Sequence, residues 1–231
     1  MERIEESLAR TALWGALAEA FRRPGDQPFE LVAELPGAAR ALGLEARDLA
    51  LALHESKDLR AAYDAVFGHV VRGPCPAYEG EYGEPKGHRF AHEIGDVTGF
   101  YNAFGLGPSR GHPDRPDHVS VECEFMAFLA LKEACAAEAH GIDKADLCRD
   151  ASRKFLEQHL GRFGRALAGR VKRRAQEPFY AAAARLLDAA ILSDAARLGA
   201  AAGPAELPLR EDAGTTDDAC MRCGVAPETP R

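Results

Sequence analysis

The stretch Pro116-Asp117-His118-Val119-Ser120-Val121-Glu122-Cys123-Glu124-Phe125-Met126-Ala127-Phe128-Leu129-Ala130-Leu131 decides the fold class. Its apolar residues Val119, Val121, Cys123, Phe125, Met126, Phe128, Leu129 and Leu131 cover more than one helical face. A helix apolar around most of its circumference is buried on most sides, so other helices must surround it. Asp117 is expected to cap this helix and Pro116 to fix the approach, with His118 in the first turn, where the helix dipole disfavours an imidazolium. Glu122 and Glu124 interrupt the apolar surface and require either solvent or partners.

Working outward, further helical spacing runs on both sides. Leu8, Leu13, Trp14, Leu17 and Phe21 mark a first helix, ended by Arg22-Arg23-Pro24-Gly25. Residues 28–43 read as short helices interrupted at Pro36-Gly37. A longer pattern through Leu49, Leu53, Leu59, Tyr63, Val66 and Phe67 breaks near Ser56-Lys57-Asp58. Helix resumes near His92 and ends at Gly105. Beyond the central helix, Asp143 is placed to cap the next one, whose pattern continues to Leu167 with a bend expected at Gly161 or Gly164. Pro178 opens the last helix at its first position. Alanine is abundant, aromatics make up 7% and β-branched residues rarely run together. The sequence therefore predicts an all-α fold, one helical bundle of roughly eight to ten helices. The expected division is a helical domain over 1–202 and a flexible tail over 203–231 that is rich in Pro, Gly, Asp and Thr and carries Cys220-Met221-Arg222-Cys223.

Composition narrows the function. A net charge of −7 argues against nucleic acid as a partner and suits a basic peptide. No segment has the run of apolar residues that spans a bilayer, so no stable membrane insertion is expected. The acidic start Met1-Glu2-Arg3-Ile4-Glu5-Glu6 reads as neither signal nor transit peptide, and six scattered cysteines read as reduced thiols. Both imply a cytoplasmic protein. No Glu is followed three residues later by His, and neither a phosphate-binding GxxxxGK[ST] loop nor a Gly-x-Ser-x-Gly elbow is present. A non-enzymatic role without a cofactor is therefore expected.

Two constellations look built to hold something. Asp117-His118 is a helix cap, a recognition pair in which the carboxylate attracts a guanidinium or ammonium, or a catalytic dyad without a visible third member. The segment Pro74-Cys75-Pro76-Ala77-Tyr78-Glu79-Gly80-Glu81-Tyr82 joins stiff prolines to aromatics, as either a packed surface loop or the wall of a groove beside Tyr63 and Phe67. Cys220 and Cys223 are weak metal candidates, half of a tetrahedral site with no second pair in the chain. Two other classes stay open: a metal- or nucleotide-dependent helical enzyme using Asp117 and His118, and a metal- or redox-sensing adaptor using Cys220 and Cys223.

The order of these elements resembles the TorD/DmsD/NarJ family of maturation chaperones for molybdenum-containing redox enzymes. The resemblance runs from about Glu5 to Ala200 and rests on Tyr63-x-x-Val66-Phe67, the Pro/aromatic loop through Tyr82 and Phe100-Tyr101-x-x-Phe104-Gly105-Leu106. Pro116-Asp117-His118 with Glu122, Phe125 and Met126, and Phe155-Leu156-x-x-His159-Leu160, complete it. Where DmsD-type members carry tryptophans, this chain has Tyr63, Tyr78 and Tyr82. The resemblance implies a chaperone that binds the apo catalytic subunit of a molybdoenzyme and its twin-arginine leader, assisting cofactor insertion and delaying export. It also implies leader-binding positions: Tyr63, Val66, Phe67, Pro76, Tyr82, Asp117 and His118.

Overall fold

A computed structural model of the chain describes residues 2–25, 29–84, 90–107 and 114–210. Within them the chain forms α1 (Glu2–Phe21), α2 (Glu30–Ala41), α3 (Arg47–Glu55), α4 (Leu59–Phe67), a 3-10 turn (Glu79–Glu81), α5 (Phe90–Ala103), α6 (Val119–Ala139), α7 (Ile142–Gln158), α8 (Leu160–Arg174) and α9 (Pro178–Leu198). Among the described residues there is no strand, only two isolated β-bridges, Tyr78 with His118 and Tyr82 with Leu209. The fold is the expected single helical bundle. None of the described helices is long and apolar enough to cross a membrane.

α6 is the central helix, packed along α1 and against α7, while α8 lies on α9 and α2 on α1. Leu13, Trp14, Leu17 and Phe21 of α1 are buried with Cys123, Met126, Leu129 and Ala130 of α6. Each buried side chain of leucine or phenylalanine size removes enough apolar area to stabilise the fold by about 1.5–3 kcal/mol. One polar network crosses this core. Arg10, fully buried, bonds both carboxylate oxygens of Asp194 at 3.0 and 3.1 Å and Glu133 at 3.0 Å, and Trp14 Nε1 donates to Asp194 at 2.7 Å. Arg3 and Arg149 reach the other Glu133 oxygen, so α1, α6, α7 and α9 are tied at one point.

Several local expectations are corrected. α2 runs straight through Pro36, because Val32, Leu35 and Ala39 are buried in the core and α1 supplies its N-terminal acceptor, with Val32 N donating to Glu19 Oε2 at 2.9 Å. That packing outweighs the roughly 3 kcal/mol cost of an interior proline. Gly141, with φ +86°, precedes α7 and leaves Asp143 inside the first turn rather than at the cap. The expected bend at Gly161 or Gly164 is instead a break at His159, between α7 and α8. The break near Ser56 is as expected: Asp58 caps α4 by accepting from Ala61 N at 2.9 Å.

Part of the segment expected as tail lies within the described residues. Residues 203–210 lie against α8 and the loop that precedes α5, held by backbone bonds from Gly83 N to Pro208 O and from Arg210 N to Glu81 O, each 2.9 Å. Leu207 and Leu209 find an apolar surface there, which composition alone does not reveal. Cys220 and Cys223 lie outside the described residues.

Candidate functional site

The loop after α4 is stitched to two helix ends. Gly68, at φ +81°, turns the chain out of α4, and Gly73 passes so close that a Cβ there would overlap the Phe67 carbonyl. Cys75 N then donates to Val66 O at 3.1 Å. Ala77 O accepts from Val119 N at 2.8 Å, and Glu79 N donates to Asp117 O at 2.9 Å. Tyr82 folds its hydroxyl back onto Pro76 O at 2.8 Å while its ring packs on Phe163 of α8. The loop is thus a bridge from the end of α4 to the start of α6, and it carries Glu79 into the interior.

Asp117 and His118 are spent on this junction. His118, not Asp117, caps α6: its Nδ1 accepts from Ser120 N at 3.2 Å and lies 2.7 Å from Ser120 Oγ. Asp117 instead accepts from Gly80 N at 3.1 Å and takes the two-pronged Arg115 guanidinium at 2.9 and 2.6 Å. Arg115 also covers the Tyr78 ring at 4.5 Å, and Tyr78 meets the edge of His118. Paired, charge-assisted bonds of this kind fix orientation strongly, which leaves little of the Asp117 charge for a ligand.

Beneath this junction lies a group that is less well matched. Glu79, almost fully buried, places Oε2 3.1 Å from His159 Nδ1 and Oε1 3.4 Å from Arg162 Nε. His159 is aimed there by the α7–α8 break and is clamped edge-on by Phe100. Next to them, Glu122 is fully buried and neither of its carboxyl oxygens has a hydrogen-bond partner among the described residues. Burial pushes its carboxyl well above the ordinary range, and the neighbouring Glu79 and Asp117 charges push it further, against a smaller opposing pull from Arg162. The carboxyl therefore holds its proton to a higher pH than an exposed glutamate does. Glu124, two residues on, points to solvent, so the two carboxyls that interrupt the α6 pattern have opposite fates.

A cavity of about 630 Å³ opens over this group between α5 and α8. Glu79, His159 and Phe100 form its inner side, Glu93 and Arg162 its wall, and Asp96 stands exposed at its mouth. Three carboxylates, Glu79, Glu93 and Asp96, line it beside one guanidinium and one imidazole, and Glu93 is itself paired with Arg210 at 2.7 and 2.8 Å. Among the described residues, no three His, Cys, Asp or Glu side chains are grouped to hold a metal ion.

All seven residues expected to bind a leader are buried. Tyr63, Val66 and Phe67 sit in the core, where the Tyr63 and Phe67 rings meet at a tilt, centroids 4.6 Å apart, and both touch Tyr180. Pro76, Tyr82, Asp117 and His118 belong to the loop junction. None of the seven lines the cavity, whose exposed or half-buried charged groups are others: Asp96, Glu93 and Arg162. Single-sequence reading named Glu122 as needing a partner and His159 within a motif, yet had no signal for joining them. They come from separate elements that meet only in the folded chain.

The site lies inside the part of the chain that is recognisable in other proteins. Residues 30–168 match the profile of the nitrate reductase delta subunit family. With that match over more than half its length, the chain belongs to this family of molybdoenzyme maturation chaperones. It is 29% identical over 175 residues to the perchlorate reductase assembly chaperone protein of Dechloromonas aromatica (strain RCB), covering 69% of this chain and 76% of that one. A shorter likeness, 40% over 65 residues, links it to the selenate reductase assembly chaperone protein of Thauera selenatis, covering 28% of this chain and 33% of that one. A solved redox enzyme maturation protein from Archaeoglobus fulgidus is 24% identical and covers 64% of this chain and 93% of that one, with a TM-score of 0.36, too low to support a structural argument.

Proposed function

We propose that this protein is a cytoplasmic, non-enzymatic chaperone for the catalytic subunit of a molybdenum-containing oxidoreductase. It holds the apo subunit and its twin-arginine leader until the cofactor is inserted, and so delays export. The observation that carries this reading is the family match over residues 30–168, which encloses Glu79, Glu93, Asp96, Asp117, Glu122, His159 and Arg162. The relatives named as assembly chaperones for perchlorate and selenate reductases support it.

In this reading the cavity between α5 and α8 takes a leader guanidinium, with Asp96 as the exposed acceptor, Glu93, paired with Arg210, beside it and Glu79 behind them. Tyr63, Val66, Phe67, Pro76, Tyr82, Asp117 and His118 hold the cavity in shape, which is how substitutions at those positions would reach the client. A leader has a basic region followed by an apolar one, and the acidic cavity complements the first.

Two experiments test the proposal. Deleting the gene should leave the client oxidoreductase without molybdenum and inactive, and unchanged metal content would overturn the chaperone role. Asp96→Asn, at the exposed mouth, should weaken binding of the client's leader peptide about tenfold, as expected for one charge-assisted hydrogen bond. Equal affinities by calorimetry would move the leader away from this cavity.

A further inference from the structure

Residues 203–210 do more than follow α9. After Gly199 closes α9 in the left-handed region, the backbone crosses α8 at Gly203, where a Cβ would overlap the Gly161 carbonyl. It then runs along α8, with Arg165 donating to Gly203 O at 3.0 Å and Arg170 to Leu207 O at 3.1 Å. At its far end it pairs with the site loop. Gly83 N donates to Pro208 O, Arg210 N to Glu81 O, and Tyr82 faces Leu209 across an antiparallel bridge.

Arg210 completes the attachment. Its guanidinium forms a two-pronged pair with Glu93, Nη1 to Oε2 at 2.7 Å and Nη2 to Oε1 at 2.8 Å, and Nε donates to Tyr82 O at 3.0 Å. Glu93 is also a wall of the acidic cavity and lies 3.6 Å from Arg162. The segment does not pack flush, since a second cavity of about 290 Å³ remains among Tyr82, Arg162, Phe163, Pro204, Leu207 and Arg210.

We propose that the loop edge 81–83, the adjoining face of α8 and Glu93 form a docking edge for an extended peptide that carries an arginine beside apolar residues, and that this chain's own residues 204–210 occupy the edge until such a peptide displaces them. Three observations meet here: extended backbone pairing, an arginine held by a carboxylate of the client cavity, and an unfilled space beside the segment. The inference rests on the leader-binding reading and adds where the peptide lies and what it must remove. A leader places arginine ahead of its apolar run, whereas the segment Leu207-Pro208-Leu209-Arg210 has the reverse order. The competitor therefore shares the Glu93 site and the α8 surface while running in the opposite chain direction.

The test uses the full-length chain and a fluorescent synthetic peptide of two arginines followed by a leucine–alanine run, with a control peptide whose arginines are glutamines. Arg210→Ala should bind the first peptide about tenfold tighter than wild type, and Arg210→Ala/Glu93→Gln about tenfold weaker than Arg210→Ala alone. A segment that merely braces the fold would give an Arg210→Ala variant of equal or weaker affinity, and either result overturns the proposal. A measurement without substitution decides it independently. Adding the arginine peptide to wild type should speed hydrogen exchange at the Arg210 amide, and the control peptide should not. Unchanged or slower exchange with the arginine peptide also overturns the proposal, while leaving the chaperone role to be judged on client metal content.

Discussion

Around Arg10, interior charges are matched: Glu133 and Asp194 share one buried guanidinium, the Trp14 indole completes Asp194, and Arg3 and Arg149 close the Glu133 side from the half-buried rim. Around Glu79 they are not. Two interior carboxyls, Glu79 and Glu122, face His159 and the half-buried Arg162, and burial pushes the unpartnered Glu122 carboxyl well above its ordinary range. The first cluster is enclosed where α1, α6, α7 and α9 meet, whereas the second lies under an acidic cavity. Only Arg10 Nη2 lacks a hydrogen-bond partner in the guanidinium of the first cluster, whereas both Glu122 oxygens lack one in the second. Buried charges balanced by opposite charges set geometry, whereas unbalanced ones cost stability and persist where a ligand uses them. The contrast separates polar groups that hold this bundle together from those available to a partner.

The comparison breaks most visibly at Arg10. Arg10→Met leaves Asp194 and Glu133 buried without their shared cation and should cost about 3–5 kcal/mol in urea unfolding. A loss below about 1 kcal/mol would mean that the network is not matched as described.

Glu122→Gln should act in the opposite direction and depend on pH. In the unfolded chain Glu122 releases its proton near 4.5, while in the folded chain it keeps it to well higher pH. Between those limits the folded state binds the extra proton, so wild-type stability falls as pH rises, by at most about 1.4 kcal/mol per pH unit. The glutamine variant lacks that slope. Its melting temperature should match wild type below the ordinary carboxylate range and exceed it increasingly at neutral and alkaline pH. A difference that stays constant with pH would sink the assignment.

The smallest effect is expected at Tyr82→Phe. Losing the bond to Pro76 O while the ring stays packed should cost about 1 kcal/mol. Because the same loop pairs with residues 208–210, amide protection at Arg210 should fall with it. Unaltered protection would show that the loop and the segment are independent.

Much of the fold is legible in the sequence because helical periodicity is repeated in every element. The errors arise where one local signal competes with a tertiary one. Pro36 reads as a breaker, but packing of Val32, Leu35 and Ala39 carries α2 through it. Leu8, Leu147 and Leu192 fit helical spacing yet face solvent, since spacing gives a face and not its neighbour. Asp117 is the better capping residue by propensity, but Gly80 and Arg115 take its carboxylate and His118 caps instead. The site is less legible for a related reason. Glu79, Glu93, Glu122, His159 and Arg162 come from a loop turn, three helices and a helix break, with no linear spacing that joins them.

The break at His159 has a consequence for chain length. One residue ends α7, precedes α8 and directs an imidazole at Glu79. In a helix each residue adds a rotation of about 100°. Inserting or deleting a single residue between Ile142 and Gln158 would therefore swing this imidazole away from Glu79, even with every side chain of the site unchanged. In α7, the number of residues is as strict a requirement as the identity of the histidine that follows it.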